Sequence, residues 1–84
     1  MAMTLTTFID VVAAEMAAED FGHREATLEG QLVELAWYKG SATTVTLTAA
    51  VDGICKEATI ELGAAAAELT ATLGSLAEAS RLAA

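Results

Sequence analysis

Eighty-four residues with a formal charge of −8 have room for one small domain and no second core. Four cations against twelve carboxylates exclude phosphate-backbone binding by charge neutralisation and disfavour anionic lipid surfaces, so neither nucleic acid nor membrane is an expected partner. Twenty alanines inflate the hydrophobic share and Cys55 has no partner for a disulfide, so the core is modest, and association with a second copy is the expected remedy.

The first element is an amphipathic helix over Thr7 to Asp20. Leu5, Phe8, Ile9, Val12 and Met16 fall on one stripe at helical spacing. Thr7 with Asp10 reads as a capping box, and Gly22 as the left-handed residue that stops the helix.

From Ala26 to Tyr38 the pattern is extended. Val33, Leu35 and Trp37 share one parity and Leu28 and Leu32 the other, so a bulge near Gly30 to Val33 is expected to bring both sets to one face. A three-residue Lys39-Gly40-Ser41 loop then pairs Leu35 with Val45 and Val33 with Leu47. That register puts Trp37 inside and Tyr38 outside.

Residues 43–62 are the most informative stretch. Asp52-Gly53 suits a two-residue hairpin turn, whose central positions both need positive φ. Folding about it pairs Val51 with Ile54, Leu47 with Ala58 and Val45 with Ile60 on an apolar face, where Lys56 is the one misfit. The other face collects Ala50 with Cys55, Thr48 with Glu57, Thr46 with Thr59 and Thr44 with Glu61.

After Leu62 the helical period returns. Leu62, Ala66, Leu69, Leu73 and Leu76 form the stripe, and Gly74 interrupts it at a cost of about 1 kcal/mol relative to alanine, marking a close helix approach or a kink. The expected fold is α+β in the order α-β-β-β-α. It is a three-stranded antiparallel meander with two helices packed on one face. That order resembles double-stranded-RNA-binding domains, whose last helix opens with basic residues. Here the position reads Gly63-Ala64-Ala65-Ala66-Ala67-Glu68, so the likeness does not extend to RNA binding.

Candidate chemistry is sparse. Cys55 has no histidine spaced to activate it, and Lys56 beside it points the other way. Glu15, Glu19, Asp20 and His23 would converge only on a helix that Gly22 ends, so they read as a solvated helix terminus and not as a metal site. Gly63 joins a strand to a helix, yet Glu61 and Glu68 flank it and repel an anion. No catalytic residue, cofactor or metal ligand is therefore assigned.

What remains is surface. Tyr38, Thr44, Thr46, Thr48, Cys55 and Thr59 face away from the expected helices and form the candidate interface. The reading is a non-catalytic, acidic interaction protein, cytoplasmic and homodimeric, acting through protein contacts. The charge allows a basic protein partner, the alternative being that acidity only keeps an alanine-rich chain soluble, and an inhibitor of a basic host protein, of the kind phages and mobile elements encode, is one member of the class. The alternative is a ligand-binding protein or small enzyme. Its pocket would lie between helices and sheet or at a dimer seam, with His23, Glu34, Tyr38 and Cys55 as polar groups.

Overall fold

The computed structural model describes residues 3–83 of the chain. Helix α1 (Leu5–Ala18) leads into a four-stranded antiparallel sheet. Its strands are β1 (Phe21–Leu28), β2 (Gln31–Lys39), β3 (Thr44–Val51) and β4 (Ile54–Glu61). A single 3-10 turn (Leu62–Ala64) then opens helix α2 (Ala65–Ala83). Strand order in space follows chain order, β1-β2-β3-β4. The fold is α+β, as expected, with one strand more than the three that periodicity indicates.

The extra strand is β1. Its residues facing the helices are Gly22, Arg24, Ala26 and Leu28, paired with Trp37, Leu35, Val33 and Gln31. Only Leu28 among them is a large apolar residue, so β1 carries no alternating hydrophobic signal. The turn that makes it a hairpin is Glu29-Gly30, with φ of 51° and 81°. Both values belong to the mirror-image turn that matches the twist of paired strands. This turn, and not a bulge, accounts for the parity change between Leu28 and Val33. Leu28 enters the core, while Leu32 sits on the opposite face and is exposed. With four strands, the element order also parts from that of double-stranded-RNA-binding domains.

Helix α1 starts at Leu5, two residues before Thr7. Thr4 is the cap, and its hydroxyl accepts from the Thr7 backbone N–H at 3.1 Å. The helix ends at Ala18 because Glu19 is already extended, leaving Gly22 inside β1. The glycine is needed there for another reason. A Cβ on Gly22 would lie 2.7 Å from Cζ2 of Trp37, its cross-strand partner, whose indole occupies the space beside the glycine.

The β3–β4 hairpin forms in the anticipated register, pair by pair. Asp52 and Gly53 both have positive φ, 49° and 86°. The Asp52 carboxylate also ties the turn down: Oδ1 accepts from the Leu32 N–H at 2.9 Å and Oδ2 from the Ser80 hydroxyl of α2 at 2.9 Å. The β2–β3 register differs from expectation. Leu35 pairs with Ala49 and Val33 with Val51, four positions along β3 from the expected partners. Residues 40–43 make a longer loop, which the Ser41 hydroxyl closes onto the backbone N–H groups of Thr43 and Thr44. An even shift preserves the face, so Trp37 is still buried and Tyr38 still exposed.

Both helices cover the same side of the sheet. Phe8, Ile9, Val12 and Met16 of α1 and Ala65, Leu69, Leu73 and Leu76 of α2 join Val33, Leu35, Trp37, Val45, Leu47, Ala49, Val51 and Ile60 in one core. Ala65, not Ala66, sits in the α2 stripe, because the 3-10 turn offsets the helix from Leu62. Gly74 meets no close neighbour: nothing lies within 4 Å of the Cβ it lacks, so a close helix approach is not its reason. Arg24 leans out from β1 to chelate Glu15 of α1, with Nε–Oε1 at 2.6 Å and Nη2–Oε2 at 3.0 Å. The Glu15 hydrogen bond, and secondarily its charge, raises the guanidinium above its ordinary pKa.

Candidate functional site

The helices leave the second face of the sheet bare. Three rows of side chains cross all four strands there: Phe21–Tyr38–Thr46–Thr59, His23–Ala36–Thr48–Glu57 and Glu25–Glu34–Ala50–Cys55. Thr27 with Leu32, and Thr44 with Glu61, complete it at the two ends. Each row follows from strand alternation once the core face is assigned to Val33, Leu35, Leu47 and Ile60. All six candidate interface residues lie on this outer face. Tyr38, Thr46 and Thr59 stand in one row, Thr48 in the next, and Cys55 ends the third. Thr44 stands at the margin, its hydroxyl 2.8 Å from that of Ser41 in the loop.

Two properties of the face were not visible along the chain. The first is apolar exposure. Phe21 is 76% exposed, Tyr38 56% and Leu32 42%, and Phe21 stands directly beside Tyr38. Phe21 carries no sequence signal, because it opens a strand that lacks periodicity. Leu32 faces outward because the expected bulge, which would have turned it to the core, does not form.

The second is charge. The face carries Glu25, Glu34, Glu57 and Glu61 and no lysine or arginine. Arg24, Lys39 and Lys56 occupy the opposite parity of their strands, and Arg81 belongs to α2. Arg24 is held by Glu15, while the Lys39 ammonium sits 3.4 Å from the Ala17 carbonyl at the end of α1. All four cations thus serve the helical side, and the segregation leaves the outer face uniformly acidic.

In the middle of the face, His23, Glu34 and Cys55 line a shallow depression of about 170 Å³ floored by Ala36, Thr48 and Ala50. Three of the four polar groups of the pocket alternative therefore share one hollow, and Tyr38 lies outside it. The hollow is on the open side of the sheet, neither between helices and sheet nor enclosed. Cys55 is exposed, with its thiol 3.6 Å from the Gly53 carbonyl of its own turn. His23, Glu25 and Glu34 approach one another with donor atoms all within 4.8 Å. Glu15, Glu19, Asp20 and His23 do not share a helix end: Glu15 is engaged by Arg24, and His23 belongs to β1 instead of α1.

A second cavity, about 110 Å³, lies under the end of α2 between Leu5, Leu28, Val33, Leu73, Gly74 and Ala77. On its rim Gln31 donates to the Ala77 carbonyl and accepts from Arg81. No helix among the described residues is long and apolar enough to cross a membrane. Comparisons of the chain with protein-family models, curated proteins and solved structures return no match.

Proposed function

We propose that this chain is a non-catalytic interaction protein that presents its bare sheet face to a basic protein partner. One observation carries the reading: the outer face combines exposed Phe21, Leu32 and Tyr38 with four glutamates and, among the described residues, no lysine or arginine. Aromatic side chains of this kind dominate binding energy when a partner buries them. The one-signed charge would steer a basic surface onto them and reject acidic ones.

Size sets the expected strength. Four strands about 4.8 Å apart and eight residues long at about 3.4 Å each give a face of roughly 500 Å² in projection. Its sixteen outward residues, four per strand, fall short of the roughly 20–30 a side of a standard stable complex. A rapid, salt-sensitive association is therefore expected in preference to a permanent one. Stacking two copies through this face would set four glutamates against four, so homodimerisation is assigned to the free edges of β1 and β4, where backbone groups await a strand.

The test is a titration of isotope-labelled protein with an arginine-rich peptide that also carries leucine and phenylalanine. Amide shifts should cluster on the three outer rows and shrink as salt is raised through the physiological range. Shifts confined to the helices, or binding unchanged in a Glu25→Lys/Glu57→Lys variant, would refute the assignment. Light scattering at micromolar concentration tests the edge dimer separately.

A further inference from the structure

We infer that His23, Glu25 and Glu34 form a binding site for a divalent transition-metal ion, with Zn²⁺ as the ion best matched to its donors. The three residues come from adjacent strands in fixed register. His23 and Glu25 are two apart on β1 and so share a face, while Glu25 stands directly opposite Glu34 on β2. Their donor atoms, one imidazole nitrogen and two carboxylate oxygens, all lie within 4.8 Å of one another. Donors about 2.0–2.2 Å from a tetrahedral ion are roughly 3.4 Å apart. His23 and Glu25 are exposed and Glu34 is half-buried, so χ rotation closes that gap with the strands staying in place.

What singles out the cluster is the lack of any internal reason for it. Like charges directly opposite in an antiparallel pair destabilise the sheet. Yet no lysine or arginine shares the face, and among the described residues none of the three side chains makes a hydrogen bond or ion pair with protein. Among the described residues Glu25–Glu34 is the one pair of like charges set directly opposite each other in the sheet. A divalent cation is the group that makes the Glu25–Glu34 juxtaposition favourable. The mixed imidazole and carboxylate set suits zinc and its first-row neighbours better than calcium, which prefers six to eight oxygens. Ala36 and Ala50, opposite His23 and Glu34, leave the far side of the site open. The ion would keep that position for water or a ligand from outside. Spacing along the chain could not reveal this site, because Glu34 reaches the other two only through the Glu29-Gly30 turn.

The site can be tested on the protein alone, without any partner, so its failure and the failure of the interaction reading are distinguishable. Titration with Co²⁺ followed by visible absorption, and with Zn²⁺ by calorimetry, should show one saturable site per chain. His23→Ala and Glu34→Gln should each weaken binding at least tenfold, given that loss of even a supporting group in metal sites costs ten- to hundredfold. Glu57→Gln, on the same face but outside the cluster, should leave affinity unchanged. All three substitutions are outside the core, and circular dichroism verifies the fold of each variant. Affinity equal in wild type and His23→Ala, or no saturable one-to-one binding, overturns the assignment.

Discussion

The contact between Gly22 and Trp37 is a sharp point at which to test this fold. In Gly22→Ala the new methyl would sit 2.7 Å from Cζ2, 2.8 Å from Cε2 and 3.0 Å from Nε1 of the Trp37 indole. Ordinary carbon–carbon contact is about 3.5–4.0 Å, so the ring or the strand must yield by about 1 Å. Trp37 is only 4% exposed and packed into the core, and an indole has no flexible end to move aside. Overpacking of this kind costs about 1–3 kcal/mol. Against that, replacing a strand glycine by alanine recovers roughly 0.5–1 kcal/mol of conformational entropy. The expected net loss is about 1–2 kcal/mol. The assay is urea unfolding followed by far-ultraviolet circular dichroism, which remains usable when the single tryptophan is changed. Trp37→Leu removes the ring at its own cavity cost, so a double-mutant cycle isolates the clash: Gly22→Ala should be neutral or slightly stabilising in the Trp37→Leu background. A Gly22→Ala protein as stable as wild type, or one equally destabilised in both backgrounds, would refute the β1–β2 register.

Further outcomes follow from other sites. Gly74→Ala should stabilise the protein by about 1 kcal/mol, because the added methyl meets open space beside a small cavity and only helix propensity changes; a drop in the urea midpoint would contradict the placement of α2. Asp52→Ala should cost about 1–3 kcal/mol, since it leaves the Leu32 N–H and the Ser80 hydroxyl without their acceptor. Asp52→Asn keeps a side-chain oxygen and tolerates positive φ, so most of that loss should be absent in its unfolding curve. A bulky maleimide should react readily with exposed Cys55 in the native state and then abolish binding of the arginine-rich peptide, with circular dichroism unchanged. Retained binding would move the partner surface off the sheet.

Much of this architecture is legible in the chain because local signals agree with one another there. Apolar stripes at helical spacing locate both helices, with Phe8, Ile9, Val12 and Met16 on one and Leu69, Leu73 and Leu76 on the other. Asp52-Gly53 sets the β3–β4 hairpin to the residue, since a two-residue turn leaves one register that buries Val45, Leu47 and Ile60 together. The same parity already turns the threonine row outward.

The rest depended on contacts between segments that the sequence separates. Strand β1 has almost no periodicity of its own, because two of its four inward positions are a glycine that receives an indole and an arginine that reaches a helix; each makes sense only beside its partner. The β2–β3 register was decided by a loop that Ser41 closes through its hydroxyl, a bond that spacing alone does not specify. Glu57 and Glu61 already face outward in the β3–β4 register, but the His23–Glu25–Glu34 cluster arises where β1 meets β2, so it exists only in the assembled sheet. Side-chain period is a property of one strand, whereas a site on a sheet is a property of neighbours, and neighbours are chosen by packing.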